Sequence, residues 1–236
     1  MKIGLNATCF NDRPSGARQR FLGLYLPAMQ AMPDCQFVVY AAKDVNLERW
    51  FDSLDNVSIH ATPIPSEGRL NRVASGLMYW PIALRKDRLD LLEGFHLPSV
   101  SNPHGKMAMT LHDVRGLYPD TQYSRRSVYR TVLKRSIRQS DQILTVSDAM
   151  KQEIASVFPE AQVTRIYNGI DVSLFEPRDS DAVDQFMHHR KLPSDFLLAV
   201  GHYEIRKNYA RLLDAIELLN ERGMSIPLVI AGHDSG

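Results

Sequence analysis

Short apolar runs rich in β-branched residues recur along the whole chain, and most are separated by stretches whose apolar residues follow the helical period. A helix between consecutive strands carries the chain back to the edge of the sheet where the previous strand began, so the next strand pairs in parallel. The alternation therefore predicts an α/β fold with a mostly parallel, doubly wound sheet. Strands are expected at Lys2 to Leu5, Gln36 to Tyr40, Val57 to His60, Leu89 to Glu93, Met107 to Leu111, Gln142 to Val146, Val163 to Ile166, Phe196 to Val200 and Pro227 to Ala231. Helices are expected at Ala17 to Met32, Leu47 to Ser53, Arg69 to Leu84, Ser124 to Gln139, Asp148 to Phe158 and Asn208 to Arg222. The last carries Tyr209, Leu212, Leu213, Ile216 and Leu219 as a stripe that would face a sheet.

The rhythm breaks between Asp171 and Ser194, where Pro177, Arg178-Asp179-Ser180-Asp181 and His188-His189-Arg190-Lys191 intervene. This predicts one Rossmann-like domain over residues 1–175, a linker over 176–193 and a second domain beginning at 194. One βαβ unit over 194–236 can hardly bury both faces of its own strands, so the second domain reads as an incomplete one.

Charge and composition exclude several classes. With 28 Lys and Arg against 27 Asp and Glu, a net charge of +1, and 44% hydrophobic residues, the chain is neither acidic and disordered nor built to seek nucleic acid. The longest apolar candidate, Phe21 to Met32, is interrupted by Gly23, Pro27 and Gln30, so no transmembrane helix is expected. The opening Ile3-Gly4-Leu5 is too brief for the core of an export signal. A cytoplasmic location with Cys9 and Cys35 as reduced thiols is expected. The chain has no Gly-x-Gly-x-x-Gly after the first strand, no phosphate-loop Gly-Lys-Ser/Thr, no His-Glu-x-x-His, no Cys-x-x-Cys and no Gly-x-Ser-x-Gly.

Several local patterns could carry chemistry. Pro14-Ser15-Gly16-Ala17-Arg18 opens a helix after the first strand, where Gly16 lets backbone N–H groups approach an anion and Ser15 either caps the helix or donates to a ligand. The strand Met107 to Leu111 runs into His112-Asp113, at the strand end where parallel sheets bind ligands. An imidazole there suits a sugar hydroxyl or a developing charge; the plain alternative is a loop histidine beside a capping Asp113. Asn168-Gly169-Ile170-Asp171 reads as a structural turn at the domain boundary, with Asn-Gly suited to positive φ.

Gly201-His202-Tyr203-Glu204-Ile205-Arg206-Lys207-Asn208 follows a strand and precedes a helix. Adjacent cations at a helix N-terminus oppose its dipole unless an anion offsets them. A diphosphate would do so, with Arg206 binding as a planar fork, Lys207 as a point charge and Gly201 giving the backbone room.

Arg126, Arg130, Lys134 and Arg138 fall at i, i+4 spacing in an acid-free stretch running from Arg125 to Arg138 and make one basic ridge. If Tyr129, Leu133 and Ile137 pack on the sheet, the ridge faces outward. It is then either a solvated face or a contact for an anionic membrane surface or a lipid-diphosphate acceptor.

Together these pieces resemble the retaining glycosyltransferases of family four, whose architecture of two Rossmann-like domains is called GT-B. The resemblance rests on Ser15-Gly16, Phe95-His96-x-Pro98, Thr110-Leu111-His112-Asp113, Ser140 to Ser147, Asn168-Gly169-Ile170-Asp171, Val200-Gly201 through Arg206-Lys207-Asn208, and Ile230-Ala231-Gly232, in that order. It covers essentially the whole chain. It implies transfer of a sugar from a nucleotide-diphosphate donor to a hydroxyl of a glycan or lipid-linked acceptor, with retention, and with no metal or other cofactor. The N-terminal domain would hold the acceptor and the C-terminal domain the donor. Gly16 would lie near the diphosphate and acceptor, His112 would contact the transferred sugar, and Lys207 with Arg206 would steady the leaving diphosphate.

The resemblance also implies that an acidic pair separated by seven residues, which holds donor sugar and ribose, lies beyond Gly236, so that residues 1–236 alone are expected to be inactive. Two other readings stay open: a non-catalytic acceptor- or membrane-binding module lacking the donor half, and a nucleotide-sugar epimerase of the same architecture.

Overall fold

The computed structural model describes the chain except residues 11–15, 52–53, 96, 98–99, 119–125, 204 and 233–236, and except the side chains at 17, 69, 174 and 206. The chain divides into two compact units, Met1–Asp171 and Val172–Gly236.

The first unit is built on strands β1 (Lys2–Asn6), β2 (Gln36–Ala41), β3 (Val57–Ala61), β4 (Leu91–Gly94), β5 (Lys106–Leu111), β6 (Gln142–Thr145) and β7 (Val163–Arg165). They form one sheet in the order β3-β2-β1-β4-β5-β6-β7, parallel throughout. Its helices are α1 (Gly16–Ala31), α2 (Arg69–Asp87), α3 (Arg126–Gln139) and α4 (Asp148–Val157). The chain starts at β1, works outward to β3, and returns over α2 to β4 on the other side of β1. Loops leaving β1 and β4 therefore diverge, which opens a crevice at the carboxyl edge.

Strand alternation sorts the core into two layers. Ile3 and Leu5 of β1 and Phe37, Val39 and Ala41 of β2 pack with Phe21, Tyr25 and Met29 of α1, which recur every four residues on one helix face. The intervening Val38 and Tyr40 pack with Trp80 and Leu84 of α2. Farther along, Met109, Leu111 and Ile143 meet Leu133 and Ile137 of α3, with Ile154 of α4 and Phe158 just past its end. Central strands apolar on both faces give the unbroken runs seen in the sequence.

Three local expectations are revised. The helix expected from Leu47 to Ser53 is a single 3-10 turn, Glu48–Trp50, and Asn46 Oδ1 accepts the Glu48 N–H at 2.8 Å before it. Helix α2 runs through Pro81 to Asp87 and ends where Arg88 takes φ +50°. In the second unit, the 176–193 stretch expected as a linker carries a helix, α5 (Ser180–His189). The polar run that looked like a break in the rhythm begins with Asp181 in the helix's first turn, where an acid suits the dipole, and ends with His188 and His189 in its last.

After α5, the second unit continues with β8 (Leu197–Val200), α6 (Tyr209–Glu221) and β9 (Leu228–Ala231); β8 and β9 pair in parallel. No described residue of these four elements is buried. Among the described residues, no helix is long and apolar enough to cross a membrane.

Candidate functional site

The carboxyl edge of the first sheet gathers the loops that leave β1, β4, β5 and β7. Gly16 opens α1 after the β1 loop, and a Cβ built there meets nothing within 4 Å among the described residues. The packing of the described residues does not require glycine at that position. Ser15 beside it lies outside the described residues, as do His96 and Pro98 after β4 and Arg125 before α3.

His112 directly follows β5 and is half-buried; its Nε2 is shielded from solvent and has no hydrogen-bond partner among the described residues. Burial holds its pKa below the usual 6.5, and Arg20 adds to this while Asp113 opposes it. The ring is therefore neutral at pH 7 and offers a substrate one donor or acceptor without a charge. Asp113 does local work: its carboxylate accepts the Arg115 N–H at 3.2 Å and the Arg115 Nε–H at 2.9 Å, at the start of the 3-10 turn Arg115–Leu117.

Beneath this edge lies a buried polar cluster that apolar periodicity did not single out. Glu93 on β4 accepts from Thr110 Oγ1 at 2.6 Å and from the Tyr25 hydroxyl of α1. Burial pushes its carboxyl up to about 7, against the pull of the Thr110 hydrogen bond and of Arg20. Arg20 of α1, only 1% exposed, donates through Nη1 to the Ile166 and Tyr167 carbonyls at 2.8 and 3.3 Å and to Asn168 Oδ1 at 3.1 Å. A charged residue within a helix stripe that otherwise points at the sheet was the available signal.

The same contacts explain Asn168-Gly169. Neither residue adopts positive φ, contrary to the turn expected there. Glycine is needed instead for close approach, because a Cβ on Gly169 would stand 1.9 Å from the Gly23 carbonyl oxygen of α1. Asp171, exposed, ends the first unit just before a 3-10 turn, Val172–Phe175.

In the second unit the carboxyl ends of β8 and β9 converge on glycines. A Cβ on Gly232 would lie 1.9 Å from the Gly201 carbonyl oxygen, and that oxygen accepts the Tyr209 hydroxyl at 3.0 Å. Gly201 has φ +150°, and the Lys207 chain folds over it: a Cβ there would meet Lys207 Cε at 3.1 Å and Nζ at 3.3 Å. Lys207 belongs to a separate 3-10 turn, Ile205–Lys207, and Asn208 at φ +54° divides it from α6. The cations thus stand ahead of the α6 N-terminus and not in its first turn, which lowers the dipole penalty expected from sequence. The Arg206 side chain is outside the described set.

On α3, Arg126, Arg130, Lys134 and Arg138 are all exposed, while Leu133 and Ile137 are buried in the core and Tyr129 packs against it.

Comparison with known proteins identifies the fold and the family. The sequence model of Glycosyltransferase Family 4 matches residues 30–174, more than half the chain, including the β5 end with His112 and the segment through Asn168. The sucrose-phosphate synthase of Thermosynechococcus elongatus has a similar structure: TM-score 0.60 at 13% identity, over 98% of this chain and 70% of that one. A glycosyltransferase from Rickettsia africae ESF-5 aligns with a TM-score of 0.57 at 14% identity, over 99% of this chain and 68% of its own. A candidate UDP-N-acetylglucosamine 2-epimerase of Listeria monocytogenes aligns at 0.55 and 11% identity, over 97% of this chain and 61% of that one. A search of curated protein sequences finds no match. At these identities the structural likenesses establish a shared GT-B type fold, and the sequence match establishes the lineage: the chain belongs to Glycosyltransferase Family 4.

Proposed function

We propose that the protein transfers a sugar from a nucleotide-diphosphate donor to a hydroxyl of a glycan or lipid-linked acceptor, with retention of anomeric configuration. The observation that carries this reading is the Lys207 side chain folded over Gly201 at the carboxyl end of β8, in a chain of this family. When the bond from sugar to diphosphate breaks, negative charge grows on the leaving oxygen. A fixed ammonium there stabilises the transition state more than the bound donor, which is what lowers a barrier. Arg206, adjacent in sequence, is assigned to the same diphosphate, so the reading uses protein cations and no metal. In the first unit, neutral His112 is assigned to the transferred sugar, and Ser15 and Gly16 to the diphosphate and acceptor. The exposed α3 cations support a site of action close to a cytoplasmic membrane face.

The test is proton NMR of the products formed by the full-length protein from a panel of nucleotide-diphosphate sugars. The expected product forms only with acceptor present and keeps the donor's anomeric configuration. An inverted product contradicts the reading, and an altered donor sugar without acceptor dependence would make the protein an epimerase.

A further inference from the structure

Helix α2 is apolar on the side it turns to solvent. Leu70, Leu77, Met78 and Ile82 are 85%, 72%, 75% and 73% exposed, and Ala74 and Pro81 lie on the same side. This stripe covers more than three turns of a helix whose opposite face already supplies Trp80 and Leu84 to the core. Soluble surfaces rarely leave so continuous an apolar row uncovered.

The stripe borders a groove of about 590 Å³ between α2 and α3. Ile64, Trp80, Leu84 and Val132 make its lining apolar, and Arg72, Arg85 and Arg135 also line it. Thr8 and Leu97, which follow β1 and β4, bring the groove to the carboxyl edge of the sheet. Across the groove, α3 presents Arg130, Lys134, Arg135 and Arg138 to solvent, and these also surround a shallow hollow of their own. Among the described residues none of these α3 cations has a carboxylate partner.

We propose that this face docks on an anionic phospholipid bilayer, with the α2 stripe entering the boundary between headgroups and acyl chains, the α3 cations on the lipid phosphates, and one acyl chain seated in the α2–α3 groove. Charge decides between occupants. A second copy meeting this face by a two-fold axis would set the α3 cations of one chain against those of the other, whereas lipid phosphates complement them. An apolar row beside a cationic row is the profile of a surface that lies in a membrane interface. Docking there would bring an amphiphilic acceptor to the carboxyl edge without its leaving the bilayer. The docking deepens the membrane-proximal site of action proposed above and rests on it, while vesicle binding is read without turnover, so its failure leaves the sugar-transfer reading standing.

Cosedimentation with vesicles tests it, comparing phosphatidylcholine alone with phosphatidylcholine containing phosphatidylglycerol, at low and high salt. The protein is expected to sediment with the anionic vesicles only. The variant Arg130→Glu/Lys134→Glu/Arg138→Glu should partition about a hundredfold more weakly, and Leu77→Ser/Met78→Ser/Ile82→Ser should lose the part of binding that survives high salt. Circular dichroism checks that both variants stay folded.

The chain has two tryptophans, so Trp50→Phe leaves Trp80 in the groove as the sole reporter. Brominated acyl chains should quench it. Any of four results overturns the proposal: no binding to anionic vesicles at low salt, binding unchanged in the serine variant, binding without quenching of Trp80, or lipid-free dimers that the serine variant dissolves.

Discussion

Among the described residues, Glu93 is the one whose chemistry departs furthest from its usual state at working pH. Its carboxyl is pushed from 4.5 to about 7 by burial. The unfolded chain therefore releases this proton first as pH rises, and the folded state loses stability between about 4.5 and about 7, by about 3 kcal/mol if the group acts alone, with no further loss above that window. His112 works in the opposite sense: its folded value is lowered, so the stability it contributes is present above 6.5 and declines as pH falls through its folded value. Urea denaturation across this range should show the decline toward pH 7 in the wild type and a flatter profile in Glu93→Gln; identical profiles would contradict the assignment. Glycines separate structural from functional need in the same way. Alanine at Gly169 would drive a Cβ to 1.9 Å from backbone that cannot rotate away, so Gly169→Ala should cost about 2 kcal/mol or more. Gly16→Ala should leave stability unchanged, because its Cβ meets none of the described residues, and should lower turnover if that space belongs to a substrate. Denaturation midpoints read both.

Helix α2 shows how differently two faces of one element can be used. Leu84 is fully buried against the sheet, so Leu84→Ala should cost about 3 kcal/mol. Met78→Ser and Ile82→Ser, on the exposed face, should each change stability by less than about 0.5 kcal/mol. A large loss from either serine variant would mean that the stripe serves folding and not a partner. The strands were legible in the sequence because β1, β2 and β5 are covered on both faces, which leaves long apolar runs. Helix α5 was not, because Asp181, His188 and His189 read as a charged break until their positions at opposite ends of one helix are known. The exposed α2 stripe also escaped, since apolar periodicity marks residues for burial and cannot say which apolar face stays uncovered. Arg20 and Glu93 were hidden for the reverse reason: they are polar side chains at positions that pattern reserves for the core. His112 and Gly201 were singled out in the sequence because they follow strands, at the edge where open parallel sheets bind ligands.

At the scale of the molecule, the two units differ in how far they bury themselves. Unit Met1–Asp171 holds all the buried clusters, whereas β8, β9, α5 and α6 have no buried residue among those described. Backbone amides of β8 and β9 should therefore exchange hydrogen orders of magnitude faster than those of β1, β2, β4 and β5, and equal protection would show that the second unit has a core of its own. The proposed sugar transfer assigns His112 to the transferred sugar and Lys207 to the leaving diphosphate. Its most direct test is steady-state sugar transfer by the full-length protein carrying Lys207→Ala or His112→Ala. Each should lower kcat by more than about tenfold with the fold intact, since a charge or hydrogen bond made to the transition state is worth a few kcal/mol. Turnover close to wild type in both variants would contradict it.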